Sequence, residues 1–340
     1  MNGTPATPRV AIVSDPLVQR GGAERVVQAI AAAYPDAPIY ALLYSAQTGP
    51  ADIAPRIRES WLGRIPGASR RHRFMLPLFV AGIESFDLSA YDVIISSHHS
   101  VAKGLLRRAG QVHVCYCHTP MRALWERPFD EINGLPAVAR PAAHALFSRL
   151  RVWDVAAANR VDRFVANSRT TQQRIATHYR RESVLLNPPI DTERFTPAAQ
   201  TPGDYYLIAS RPVPYKRIDV AVAAAAQLGR RVVLVGGGDL PAGMPGRERV
   251  EVRGHVDDAT LMDLMRGARA LLFPQLEDFG MTPLEMNACG RPVVAYRAGG
   301  ALETVVPDVT GVFAAEQTPA SFAAAMLRLE SLQLDPAEIR

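Results

Sequence analysis

Cysteine is scarce in this chain: three in 340 residues, two of them in Cys115-Tyr116-Cys117. That number builds no disulfide framework and fits a reducing compartment. Cys115 and Cys117 share one face of a single predicted strand, and no second ligand pair completes a zinc site. Long apolar runs are also missing. No stretch approaches the length of a membrane span, and the polar start from Met1 to Arg9 lacks the charged-then-apolar pattern of a secretion signal. The expectation is a cytoplasmic protein. No two aspartates are separated by one residue, so a common carboxylate arrangement for a divalent metal is lacking and no metal site is expected. The basic surplus comes without zinc-finger spacing, a helix-turn-helix signal or an aromatic-studded RNA motif, which sets nucleic acid aside.

What is present suffices for a core: 48% hydrophobic residues, in a length that suits two domains of ordinary size. A net charge of +5 and a pI near 9.3 favour anionic ligands or anionic lipid surfaces. Strand-like runs alternate with helical stretches twice over. The first set is Val10–Asp15, Ile39–Tyr44, Asp92–Ser97, Val112–Cys117, Arg163–Asn167 and Val184–Asn187, with a helix at Ala23–Tyr34. The second is Tyr205–Ser210, Arg231–Val235, Val250–Arg253, Ala270–Phe273, Pro292–Tyr296 and Gly311–Ala314. Helices intervene at Val220–Leu228, Ala259–Ala268 and Pro319–Leu332, the last with Thr318 as N-cap. Such alternation implies parallel sheets covered on both faces. The Pro- and Thr-rich stretch Asn187–Asp204 is the linker candidate.

Polar clusters sit where these strands end. Glu277 and Glu285 stand eight residues apart in Glu277-Asp278-Phe279-Gly280-Met281-Thr282-Pro283-Leu284-Glu285. Phe279-Gly280 reads as the loop that opens a helix, with Glu277 just before its N-terminus and Glu285 about two turns along. Free N–H groups of that first turn suit a phosphate. Taken alone, the pair reads first as an acid complementing a helix dipole and a solvated second glutamate. Ser210-Arg211-Pro212-Val213-Pro214-Tyr215-Lys216-Arg217-Ile218-Asp219 follows another strand and precedes an Ala-rich helix. Arg211 and Lys216 thus fall at the carboxyl edge of a parallel sheet, where ligands bind, and two such cations can stabilise a departing diphosphate. Gly21-Gly22, between the first strand and the first helix, fits either backbone contact to a diphosphate or a plain turn. Gly236-Gly237-Gly238 reads first as space for packing. His118 precedes Thr119-Pro120 on a loop at the ligand edge.

In this order and spacing the two clusters resemble the signatures of the retaining glycosyltransferases of family 4, and the resemblance covers nearly the whole chain. Gly21-Gly22-Ala23-Glu24, Ala166-Asn167-Ser168, Asn187-Pro188-Pro189-Ile190-Asp191 and Val235-Gly236-Gly237-Gly238 are similar to further segments of that family. Cys117-His118-Thr119-Pro120-Met121-Arg122 looks like the bacterial mannosyltransferases of polysaccharide and lipopolysaccharide assembly. The resemblance implies an α/β architecture, the GT-B fold: two facing Rossmann-like doubly wound domains with an interdomain cleft. It implies an acceptor domain over residues 1–186 and a donor domain over 187–340. Position by position, Arg211 and Lys216 would hold the donor diphosphate, Glu285 the ribose hydroxyls and Glu277 the sugar hydroxyls, with His118 by the reacting sugar. Gly21, Gly22, Phe279, Gly280, Met281 and Thr282 would also lie against the donor.

The implied reaction is sugar transfer with retained anomeric configuration, GDP-mannose being the favoured donor and a polyprenyl-diphosphate-linked glycan the acceptor, without cofactor or metal. The family leaves the general base open. A GT-B-fold epimerase or a non-catalytic nucleotide-sugar-binding module are the alternatives. An epimerase is not expected to combine the Arg/Lys loop with the Glu pair, and a mere binding module would be expected to have lost key polar positions. The family continues into a last helix that crosses back to the first domain, whereas this sequence stops at Asp335-Pro336-Ala337-Glu338-Ile339-Arg340, so that helix is expected to be lacking.

Between Arg56 and Phe79, Arg56, Arg58, Arg64, Arg70, Arg71, His72 and Arg73 interleave with Trp61, Leu62, Ile65, Phe74, Leu76 and Phe79. The mixture suits a segment seated on an anionic membrane surface, which would make the protein peripheral on the inner face of the membrane. It equally suits helices packed on the sheet with solvated arginines.

Overall fold

The computed structural model describes residues 7–19, 21–198 and 202–340, with backbone alone at positions 73 and 74. The polar start up to Ala6 and the linker residues Ala199, Gln200 and Thr201 lie outside the described residues. The chain divides into two compact units, and the division falls between Pro189 and Ile190.

The first unit is built on strands β1 (Val10–Ser14), β2 (Ile39–Ala41), β3 (Ile57–Glu59), β4 (Val93–His98), β5 (Val112–Cys117), β6 (Arg163–Ala166) and β7 (Ser183–Leu185). They form one parallel sheet in the order β3-β2-β1-β4-β5-β6-β7. Consecutive strand residues serve opposite faces, as the period of two requires. Ala11 and Val13 enter one buried cluster with Leu42, Leu62 and Phe79, while Ile12 enters another with Val27, Ala31 and Ile39. The helix Gly22–Ala33 supplies Val27 and Ala31 to the second face.

The second unit repeats the design with β8 (Tyr205–Ala209), β9 (Arg231–Val235), β10 (Val250–Gly254), β11 (Ala270–Phe273), β12 (Val293–Tyr296) and β13 (Gly311–Ala314), in the order β10-β9-β8-β11-β12-β13. All its pairings are parallel. Tyr206 and Ile208 face one buried cluster and Leu207 the other. The helix Pro319–Ser331 packs on the first of these, and the Thr318 hydroxyl accepts from the Ser321 N–H as its N-cap.

Differences from the sequence reading are local. β2 ends at Ala41, three residues early, and only an isolated bridge from Leu17 to Tyr44 continues that pairing. β3 was not expected as a strand, because its three residues lie at the sheet edge and only Ile57 is half-buried. The helix Arg140–Ala158 has no counterpart among the predicted elements. Its buried stripe of Ala143, Phe147, Leu150, Ala157 and Ala158 is interrupted by Asp154, which is fully buried. A charge in the stripe blurs the apolar period that reveals a helix. The structure supplies the missing partner: the Lys103 ammonium, equally buried, contacts the Asp154 carboxylate. Trp125 Nε1 and the Tyr179 hydroxyl also donate to Asp154, at 2.8 and 2.9 Å.

In both sheets the strand order reverses direction at one place, between β1 and β4 in the first and between β8 and β11 in the second. Loops leaving adjacent strands there diverge to opposite faces and open a crevice at the carboxyl edge.

Candidate functional site

The second unit brings the two sequence signatures together at its reversal point. Arg211 and Lys216 leave the carboxyl end of β8, and Glu277 leaves that of β11. The Lys216 ammonium donates to the Glu277 carboxylate, and both side chains are largely buried, at 17% and 19% exposure. Lys216 also lies 5.4 Å over the Tyr215 ring. Arg211 is exposed on the same loop.

Glycine permits this approach of loops. Gly236, at φ +125°, takes a conformation rare for other residues, and a Cβ there would lie 2.7–3.1 Å from the Ser210–Arg211 backbone. The Gly236–Gly238 run therefore seats the Arg211 loop. Gly300 does the same for the acidic loop: its N–H donates to the Glu277 carbonyl at 2.9 Å, and a Cβ would fall 2.2 Å from the Phe279 backbone. Gly300 went unnoticed in the sequence. The Gly299-Gly300 pair after β12 was the available signal, since paired glycines at a sheet's ligand edge mark close backbone approach.

The helix Met281–Ala288 begins later than the sequence suggested, so Glu285 lies little more than one turn in rather than two. The left-handed Gly280, at φ +88°, sets the later start, and as N-cap it offers no side-chain acceptor to the first-turn N–H groups. Met281 and Thr282 in that turn are half-buried, Glu285 is 3% exposed, and the Phe279 ring is buried. A buried acid, a lysine–glutamate contact and an uncapped helix start thus share one edge. Cations and free N–H groups there can hold a phosphate, and carboxylates can accept from hydroxyls.

The first unit gathers a second set of groups at its own reversal point. Asp15, fully buried just past β1, accepts four consecutive backbone N–H groups from the loop after β4: His99 at 2.7 Å, Ser100 and Val101 at 2.8 Å, Ala102 at 3.0 Å. His118, just past β5, shares a hydrogen bond of 2.9 Å between its Nε2 and the Ser97 hydroxyl. Burial pushes the His118 imidazole down to about 3, and neighbouring His99 pushes it the same way. It is therefore neutral at physiological pH and can serve as a hydrogen-bonding group. Gly21 is the N-cap of the helix Gly22–Ala33 beside β1, with extended backbone at φ −130°. Sequence reading singled out His118 and missed Asp15 and His99. A lone aspartate closing a strand has no pattern of its own.

Part of the basic segment 56–79 proves structural. Arg56 donates to the carbonyls of Ala31, Tyr34 and Ala37, closing the end of the first helix, and Arg58 donates to the Tyr40 hydroxyl at 3.0 Å. Arg56 is half-buried, whereas Arg58 stays exposed on the edge strand β3 at Ile57–Glu59. Leu62 and Phe79 are buried. Exposed on this side are Arg64, Arg70 and Arg71 with Trp61, Ile65 and Leu78. The Arg73 and Phe74 side chains lie outside the described residues. Among the described residues no helix is long and apolar enough to cross a membrane, and no cluster of three or more histidine, cysteine or acidic side chains could hold a metal ion.

Comparison with known proteins places these features in context. Residues 20–194 match the family model Glycosyltransferase Family 4, and residues 189–340 match Glycosyl transferases group 1. A D-inositol 3-phosphate glycosyltransferase of Streptomyces bingchenggensis is 30% identical over 206 residues, covering 50% of this chain and 45% of that one. A GDP-mannose-dependent alpha-(1-6)-phosphatidylinositol monomannoside mannosyltransferase of Mycolicibacterium smegmatis is 33% identical over 181 residues, covering 42% and 46% respectively. The chain spans about half the length of the curated relatives it matches. Among solved structures, Anabaena HepE in complex with UDP and glucose superposes with a TM-score of 0.62 at 19% identity, covering 98% of this chain and 97% of that one. Sucrose-phosphate synthase of Thermosynechococcus elongatus gives 0.67 at 18%, covering 97% and 91%. At such identities the likeness is one of fold.

Proposed function

Because this chain belongs to glycosyltransferase family 4, we propose that it transfers a sugar from a nucleotide-sugar donor with retained anomeric configuration, mannose from GDP-mannose being favoured. The observation that carries this reading is the meeting of Lys216 and Glu277 at the β8–β11 reversal, beside a helix start without a side-chain cap. In the proposed complex Arg211 and Lys216 hold the diphosphate, and the N–H groups of Met281 and Thr282 add positive potential to it. Glu277 accepts from sugar hydroxyls, Glu285 from the ribose, and neutral His118 lies by the reacting sugar. The bond from the anomeric carbon to the diphosphate breaks with its electron pair going to the diphosphate. The acceptor oxygen bonds the same face, and its proton goes to a diphosphate oxygen. Cationic side chains carry the leaving-group charge in this scheme, so no divalent metal is required. The similarity to a GDP-mannose-dependent enzyme supports mannose.

Calorimetric titration with GDP-, UDP- and ADP-sugars, followed by transfer and hydrolysis assays with and without EDTA, tests the proposal. Expected are tightest binding of GDP-mannose and activity that survives chelation. Binding without turnover would instead indicate a binding module, conversion of the donor's sugar an epimerase, and rescue of chelated protein by magnesium a metal-dependent transferase.

The acceptor proposed is a lipid-linked glycan reached from the cytoplasmic face of the membrane. Arg64, Arg70 and Arg71, exposed beside Trp61, Ile65 and Leu78, support it. Each basic residue near an anionic surface contributes about 1 kcal/mol, so changing all three to glutamine should nearly abolish sedimentation with anionic vesicles. Transfer to a short soluble acceptor should survive the change. Wild-type protein that ignores both anionic and neutral vesicles would point to a soluble acceptor.

A further inference from the structure

The amino edge of the first sheet, opposite the edge that carries Asp15 and His118, holds a cavity of about 430 Å³. Its walls are Leu106, Arg107, Arg108 and Ala109, in the loop that enters β5, with Asn159 and Arg160 between the helix Arg140–Ala158 and β6. The volume falls within the range of small-molecule sites. Arginine supplies half of the lining residues, and no carboxylate is among them.

Two of these arginines are anchored on one side only. Arg107 Nη1 donates to the Gln111 carbonyl at 2.9 Å, and Nη2 lies 3.0 Å from Asp162 Oδ1. Arg160 Nη1 donates to Glu84 Oε1 and to the Gly104 carbonyl, both at 2.7 Å. Nε of Arg107, and both Nε and Nη2 of Arg160, meet no protein acceptor among the described residues. The Arg108 guanidinium makes neither a hydrogen bond nor an ion pair among them, and Asp87, the carboxylate its charge reaches, is exposed. The anchoring carboxylates are shared: Glu84 also accepts from Trp153 Nε1 at 2.9 Å, and Asp162 from the His113 N–H at 2.8 Å. Nor do the three cations serve the helix end beside them, because the carbonyls of Ala158 and Val161 accept from Arg181, at 3.0 and 2.8 Å. Guanidinium groups fixed at one nitrogen, with their other N–H groups open to a cavity, are set in advance for an anion that can take several hydrogen bonds.

We infer that this cavity is a second, non-catalytic binding site, and that its ligand is a small phosphomonoester of the sugar-phosphate class. The phosphate oxygens accept from Arg108, from Nε and Nη2 of Arg160 and from Nε of Arg107. The Asn159 amide meets a hydroxyl, and Leu106, 49% exposed, gives the carbon skeleton an apolar wall. The site lies wholly within the first unit and shares no residue with the proposed donor site, so it stands independently of the transferase reading.

The test is calorimetric titration with mannose 6-phosphate and with inorganic phosphate. Expected is a single site for mannose 6-phosphate, weakened by added salt, for which inorganic phosphate competes. Arg108→Gln changes an exposed side chain without protein bonds, so it should fold as wild type and raise the Kd roughly 10- to 100-fold, the loss of a charge-assisted hydrogen bond. Arg160→Lys keeps the charge but not the fork and should raise it about 10-fold. The double variant Arg211→Ala, Lys216→Ala should bind as wild type does. Binding lost in that double variant and kept in Arg108→Gln would assign the anion to the second unit and overturn the inference. So would wild-type protein that binds neither probe at roughly millimolar concentration. Sedimentation with phosphatidic acid vesicles, lost in Arg108→Gln, in a protein that ignores both soluble probes would assign these arginines to a lipid surface and overturn it as well.

Discussion

Lys216→Ala is expected to lower turnover by about 2–4 kcal/mol of transition-state stabilisation, roughly 30- to 1000-fold, while donor binding weakens far less. The reason is the timing of charge. Before reaction the diphosphate shares its charge with an intact sugar bond, and as that bond breaks the charge on the leaving oxygen grows. A cation already in place, held against Glu277 and over the Tyr215 ring, costs no reorganisation at that moment. Glu285→Ala, in contrast, should act mainly on donor affinity, because a buried carboxylate one turn into the helix would contact a part of the donor that does not change in the reaction. Stopped-assay kcat values combined with calorimetric Kd values separate the two. Equal effects of both changes on turnover, with donor binding untouched in each, would contradict the roles given to these residues.

Lys103→Met is expected to destabilise the first unit by about 3–5 kcal/mol, the cost typical of breaking a fully buried ion pair by removing one partner. Lys103 and Asp154 are both completely buried, and Lys103 additionally lies 4.8 Å over the Tyr179 ring and 5.6 Å over that of Trp153. Methionine fills the lysine's volume but leaves an unpaired carboxylate in an apolar setting. Trp125 and Tyr179 still donate to it, and that is too little to hold the charge. Adding Asp154→Asn removes the charge while keeping an acceptor for those two donors, so the double variant should regain a large part of the loss. Urea denaturation followed by the fluorescence of the three tryptophans, Trp61, Trp125 and Trp153, all in the first unit, gives the comparison. A Lys103→Met variant within about 1 kcal/mol of wild type, the range of a surface pair, would show that the pair carries little stability.

The contrast between these two lysines shows what can be read in advance. Lys216 stood in a motif, flanked by a strand, a proline-containing loop and an Ala-rich helix, and its meaning followed from position. Lys103 stood in Ser100-Val101-Ala102-Lys103-Gly104 with nothing to mark it, and its partner lies 51 residues away on a helix whose stripe it repairs. Much the same separates His118 from His99. The first sits in a recognisable segment, whereas the second acquires interest only when Asp15, 84 residues earlier, gathers the loop around it. The basic segment 56–79 shows the opposite failure. Composition could not tell Arg56, half-buried and committed to backbone carbonyls, from Arg64, Arg70 and Arg71, which face solvent.

By itself the sequence determined the alternation of strands and helices, and with it the doubly parallel architecture, because burial on both faces demands continuous apolar runs whose length and spacing are local properties. It also determined which residues leave the strand ends, since a loop between strand and helix is read from the chain alone. Only the tertiary structure decided the order of strands, and therefore that the loops after β8 and β11 stand side by side and bring Lys216 to Glu277. The same holds for Asp15 and the loop after β4. Strand order is a matter of long-range pairing, set by how both faces of each sheet pack and by loops such as those at Gly236 and Gly300 that can approach closely. No local pattern carries that information, because the contact exists only when residues far apart in the chain are packed together.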